Sequence, residues 1–296
     1  MPLFGPNVRK MKEKGDVEGL IKELNNKDSN ARIEAVRALR DLNHVQGLTE
    51  GLKNDDPQVR VESAEALKDI GSSTAMESLA KILVKTLKFG SKDDKIEALV
   101  IMQGHGVSYF WVDSKIRARI QKKLPLDLIR SALLEVAETD SYPLVRWHAL
   151  VALAELGERN DKILSQLIET SERLMAALDN YGLAAFGIRT ETLRALSFFR
   201  NNHAAVNAVV NALKGSVLVH KRYEEAGPFK EEFYALGALG DPSTRELLEF
   251  WATRGVTPGK EHIQKSAQVA LELFGIATFD EVERIAESKQ RKGVRV

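Results

Sequence analysis

Tyr109, Phe110 and Trp111 stand side by side, and Lys115, Arg117, Arg119, Lys122 and Lys123 follow closely. Adjacent rings can stack a base or a planar ligand while neighbouring cations grip phosphate. The same rings can equally plug a gap between helices. Asp113 or Ser114 would cap an added helix here, with Ile116, Ile120 and Leu124 as its buried stripe. A second constellation joins Ile96, Val100, Trp147 and Val151 to Arg194 and Tyr234. An apolar patch containing Trp and rimmed by Arg and Tyr has the composition of a protein-binding hot spot, unless the added helix covers it. Catalytic groupings are sparse. The six histidines show no metal-ligand spacing, and no glycine-rich phosphate loop or Gly-x-Ser-x-Gly elbow occurs. His105, between two glycines, reads as a packed imidazole. A non-catalytic role without metal or cofactor is favoured, and the question of an enzyme stays open.

These residues are positioned by an internal repeat. Seven copies of a thirteen-residue phrase begin at Ala31, Val59, Asp94, Val145, Ile188, Pro228 and Ile263. The position seven residues into each copy reads Ala38, Ala66, Ile101, Ala152, Ala195, Ala235 and Ala270, and the next reads Leu39, Leu67, Met102, Leu153, Leu196, Leu236 and Leu271. Apolar offsets of four, seven, eight and eleven mark one face of a helix. Gly71, Gly106, Gly157, Gly240 and Gly275 close five copies, where a left-handed stop is expected. A second amphipathic stretch precedes each copy, clearest at Val17–Leu24 and Leu79–Leu83, so the unit is helix A, a turn and helix B. Each unit can bury its stripe only against its neighbours.

The combination of Asp55-Asp56-Pro57, Val59-Arg60 and Ala64-Glu65-Ala66-Leu67-Lys68-Asp69-Ile70-Gly71 resembles the short HEAT-like repeat of the phycobilisome-lyase type. The resemblance spans residues 16–277 and implies an all-α, right-handed α-solenoid of about seven helix pairs. It predicts a single domain over 1–296: an N-terminal cap at 1–15, repeats over 16–277 with an insertion at 104–125, and a C-terminal cap and basic tail over 278–296. Phycobilin lyases of this type bind an open-chain tetrapyrrole, but no functional residue of theirs has a counterpart here. HEAT-like di-iron hydroxylases rely on His-Glu dipeptides, and none occurs in this chain.

Insertions between helices A and B fall at Val84–Asp93, Glu169–Gly187, Gly215–Gly227 and Arg254–Glu261, bringing Lys85, Lys88, Lys92, His220, Lys221, Arg222, Tyr223, Arg254 and Lys260 to one edge. Insertions on one edge of a solenoid commonly mark its binding side. Helix B is expected to line the concave surface, where Glu34, Glu62, Glu97, Glu191 and Glu231 form a row that would repel a phosphate backbone. The Arg32, Arg60, Lys95, Arg146 and Arg189 column is expected to pair with turn aspartates. A net charge of +1 offers no bulk attraction to nucleic acid or anionic lipid, and the chain has no cysteine for disulfides or thiol chemistry. No apolar run reaches membrane-spanning length. The sequence therefore predicts a cytoplasmic protein-binding scaffold whose partner is another protein. A nucleic-acid-binding HEAT protein and a lyase-like ligand chaperone are the alternatives. The proposed contact is Ile96, Val100, Trp147, Val151, Arg194 and Tyr234, with Tyr109, Trp111, Lys115 and Arg119 beside it.

Overall fold

A computed structural model describes residues 8–103, 125–177, 183–222, 230–253 and 261–293. Among these residues there are helices and turns but no strand. The insertion with Tyr109, Trp111, Lys115 and Arg119, together with His105 and Gly106, lies outside the described residues, as do Tyr223, Arg254 and Lys260. The chain divides into two compact units, residues 1–152 and 153–296.

The first unit contains α1 (Val8–Lys14), α2 (Val17–Glu23), α3 (Ser29–Asp41), α4 (Val45–Gly51), α5 (Pro57–Ile70), α6 (Ser73–Phe89), α7 (Lys92–Gln103) and α8 (Leu126–Thr139). The division falls within α9 (Pro143–Glu155). Each A helix packs on its B helix, as α2 on α3 and α4 on α5, while A helices also stack on A and B on B. The stripe read from the sequence is the core: Ala35, Ala38 and Leu39 in α3 match Ser63, Ala66 and Leu67 in α5, all buried. Asp28 and Asp56 start α3 and α5 by accepting from the backbone N–H groups of Asn30 and Gln58 at 2.9 Å, and Pro57 opens α5.

The second unit contains α10 (Asp161–Ala177), α11 (Leu183–Leu196), α12 (His203–Arg222), α13 (Lys230–Leu239), a 3-10 turn (Pro242–Thr244), α14 (Arg245–Thr253), α15 (Glu261–Glu272) and α16 (Phe279–Gly293). Helices α11, α13 and α15 are the B helices, and α16 packs on α13 and α15. Gly71, Gly157, Gly240 and Gly275 all take positive φ, as their repeat position requires. In the first copy Asn43 holds that position at φ 52°. Gly240 has a second constraint: a Cβ there would stand 2.3 Å from Gly275 Cα, so adjacent repeats touch backbone to backbone.

Candidate partner-binding surfaces

The basic column is internal wiring. Arg32 donates to Asp56 of the next turn (2.8 Å from Nε) and to the Asn26 carbonyl (2.8 Å). Arg60 repeats this with Glu97 (2.7 and 2.5 Å) and the Asn54 carbonyl (3.0 Å). Lys95 reaches Asp140 at 2.6 Å, and Arg146 donates to the Asp140 carbonyl at 2.6 Å. In the second unit Arg189 pairs with buried Glu232 and donates to the Ala212 carbonyl at 2.8 Å. Arg32 and Arg60 thus each close their own turn and tie it to the next repeat, whereas among the described residues Lys95 makes only the tie and Arg146 only the closure. Hydrogen bonding to Glu97 raises the pKa of Arg60 against the opposing effect of burial. The expected pairing with turn aspartates, between or within repeats, holds for Arg32 with Asp56 and for Lys95 with Asp140, in both cases across to the following repeat.

Three members of the glutamate row are taken up internally, while Glu34 and Glu62 stay half-exposed. Glu97 serves Arg60 and Glu191 pairs with Arg194. Glu231 is buried, which pushes its carboxyl up to about 7.

The proposed contact residues are mostly inside. Ile96 is buried and Val100 half-buried; Trp147 and Val151 are 2% and 1% exposed. Of the two readings of this patch, open or covered, the burial fits the covered one. In α9, Val145, Trp147, Ala149, Leu150, Val151, Ala152, Leu153 and Ala154 are all buried, and a helix that is apolar on every side belongs in a core. That signal stands in the sequence Pro143-Leu144-Val145-Arg146-Trp147-His148-Ala149-Leu150 and outranks the helix-face argument.

Arg194 and Tyr234 lie in the second unit, beneath α16. The Phe279 ring sits edge-on to Tyr234, with centroids 5.8 Å apart, and under the Arg194 guanidinium at 5.5 Å. Arg194 Nε lies 2.9 Å from Asp280 Oδ1, and Tyr234 shares a 3.4 Å hydroxyl contact with Ser266 of α15. Lys230 pairs with Glu287 at 3.0 Å, and Lys289, expected in a frayed tail, pairs with Glu272. Burial opposes the charge of Arg194, but Glu191, Asp280, Glu155 and Glu283 outweigh it and raise its pKa. Burial, and after it the nearby carboxylates of Glu231, Glu283 and Glu287, raise Tyr234 against the opposing hydrogen bond to Ser266.

The residue that sequence reasoning missed is Phe89, in the inserted segment on the edge of the first unit. Helices α2 and α4 have 7 residues each, whereas α6 has 17. The inserted segment at Val84–Asp93 is therefore taken up mainly as extra helical turns. Gly90 then reverses the chain, its N–H donating 2.8 Å to the Thr86 carbonyl, and Ser91 with Asp94 caps α7. The overhang leaves Phe89 80% exposed at its tip. Phe89 stands at a cleft of about 270 Å³ lined by Leu52, Lys53, Ile82, Lys85 and Thr86, with the Arg60–Glu97 pair at its wall. This volume is below the ~300–1,000 Å³ of small-molecule sites, and suits one or two side chains of a peptide. Lys85 has no ion-pair partner among the described residues. The signal was present as an apolar residue before Gly90 beyond the repeat's ordinary length.

Among the described residues no group of three or more acidic, His or Cys side chains could hold a metal ion, and no helix is long and apolar enough to cross a membrane. No curated protein matches the chain. A solved structure described as the crystal structure of an engineered protein, a Northeast Structural Genomics Consortium target, is similar at 21% identity and TM-score 0.34, covering 88% of this chain and 96% of its own. Residues 17–98 match the family model for HEAT repeats.

Proposed function

We propose that the protein is a non-catalytic scaffold that binds another protein through the α4–α6 edge of its first unit. The observation that carries this reading is Phe89, 80% exposed on a helix overhang, beside an apolar cleft with Lys85. Large apolar side chains this exposed mark interaction sites when they adjoin further apolar surface. Covering one Phe contributes about 1.5–3 kcal/mol, enough for an anchor but not for a whole interface. Lys53 and Lys85 favour a partner segment that sets a carboxylate beside its apolar side chain. The repeat-column cations Arg32, Arg60, Lys95 and Arg189 are occupied by carboxylates and are not offered to a phosphate backbone; the Lys115–Lys123 cluster of the nucleic-acid alternative lies outside the described residues.

The test is affinity capture from native lysate with wild type, Phe89→Asp and the exposed control Lys14→Glu. The proposal expects the same partner with wild type and Lys14→Glu and its loss with Phe89→Asp. Equal recovery by all three contradicts it.

A further inference from the structure

In the second unit, where α10 meets the start of α12, lies a cleft of about 360 Å³. Leu164 and Ile168 of α10 and Ala204 of α12 give it an apolar lining, and α10 also supplies Asp161, Glu169 and Glu172 to its rim. Among the described residues no cation lines it. Its mouth is fixed by the caps of the two helices. Asn160 accepts from the Ile163 N–H at 3.0 Å, Asn202 accepts from the Ala204 N–H at 2.9 Å, and the Asn202 amide donates to Asp161 at 3.0 Å. Glu169 pairs with Arg173 one turn along at 2.7 Å, an exposed contact that contributes little and is readily exchanged.

The α6 overhang of the first unit has the inverse chemistry. Lys85 and Phe89, both exposed, stand four residues apart on one face of α6. Ile168 and Glu172 stand on one face of α10 at the same spacing, about 5–6 Å. Laid antiparallel, the two helices set Phe89 against Ile168 and Lys85 against Glu172 in a single register. We infer that the tip of α6 docks in the α10–α12 cleft of a second copy of this chain. The inference rests on the reading of Phe89 as an anchor and names its partner. One sequence carries both halves of the contact: an exposed ring with a cation one turn before it, and an apolar cleft whose charged rim is all carboxylate. The cleft sits at the lower end of the ~300–1,000 Å³ range of ligand sites, with room for one ring and the methylenes of a lysine. The two surfaces differ, so the contact is heterologous. Each added copy leaves one tip and one cleft unused, and association continues into a ring or filament instead of stopping at a pair.

The experiment is sedimentation velocity of the purified full chain over a range of concentrations, in low and high salt. Wild type is expected to sediment faster as concentration rises, and less so in high salt. Phe89→Asp removes the tip, and Glu172→Lys reverses the charge of the cleft at an exposed residue. Each variant alone is expected to associate roughly ten-fold more weakly than wild type. Mixed in equal amounts, they still hold one intact cleft and one intact tip, and are expected to form a two-chain complex and nothing larger. Lys85→Glu combined with Glu172→Lys in one chain is expected to recover association. Wild type that stays a single chain at every concentration, or a mixture that associates no better than its components, overturns the inference. Capture from lysate separates the two readings. If Phe89→Asp loses a partner of different sequence while wild type stays a single chain, the Phe89 anchor stands and the second copy falls. Undiminished association of Phe89→Asp overturns the second-copy contact whatever the capture shows.

Discussion

Arg37 and Arg194 occupy the same place, six residues into their copies of the repeat, yet Arg37 stands in solvent and Arg194 is 7% exposed. Along the same row Glu65 and Val100 are half-exposed in the first unit, whereas Tyr234 and Val269 are fully covered in the second; Val151, beside the boundary between the units, is buried too. The repeat sets which way a side chain points. What lies over it is set elsewhere, in the second unit by α16. A position in a repeat therefore does not carry its environment with it, and an inner row is a binding surface only where nothing of the chain's own already occupies it.

The sharpest way to break this contrast is to truncate the two arginines in parallel. Arg194→Ala leaves Asp280 and Glu191 without their guanidinium in a buried setting, and should destabilise the second unit by about 3–5 kcal/mol. Arg37→Ala should change stability by less than about 0.5 kcal/mol. Urea unfolding of both variants measures the difference. Phe279→Ala should come next, at about 3 kcal/mol, because it deletes a fully buried ring from between Arg194 and Tyr234.

Proton linkage gives the third contrast. The folded pKa values of Glu231 and Glu283 are raised, Glu231 to about 7 from an ordinary value near 4.5. A raised carboxyl holds its proton in the folded state after the unfolded chain has lost it, so stability falls as pH climbs from about 4.5 to 7 and levels off above. The charged groups acting on Glu231 are Lys230 and Glu232 on α13 and Glu283 on α16, while Arg194 on α11, Lys230 on α13 and Asp280 and Glu287 on α16 act on Glu283. Glu231→Gln should flatten this slope in the thermal unfolding of the second unit. Aspartates with lowered pKa, such as Asp56 and Asp94, act oppositely and only at more acidic pH. The smallest effect belongs to the wiring of the first unit: Asp56→Asn should cost about 0–1 kcal/mol, because the Arg32–Asp56 pair keeps about a fifth of its surface in water. Differential scanning fluorimetry resolves a change of that size from zero.

Much of the fold is legible in the chain. The small-large alternation at Ala66-Leu67 and Ala235-Leu236, the Asp caps and the closing glycines each correspond to a local requirement of a helix pair, and the structure meets them. Phe89 and Tyr234 show where legibility stops. Phe89 is exposed because the inserted residues extend α6 as helix, and helix-forming residues in an insertion look the same as a polar loop until the cap at Gly90–Ser91 is located. Tyr234 is covered by a helix that begins 45 residues later, a contact no local spacing encodes. Trp147 was misassigned for a third reason: periodicity marks a face only when the other faces are polar, and in α9 they are not.

The most direct measurement is hydrogen exchange by mass spectrometry on full-length wild type and Asp280→Ala. The account predicts faster exchange in α16 and in the segments 188–196, 230–239 and 261–272 of the variant, with α3 and α5 unchanged. Exchange that is unaltered in the second unit, or raised equally in α3 and α5, would contradict the claim that α16 is what covers Arg194 and Tyr234.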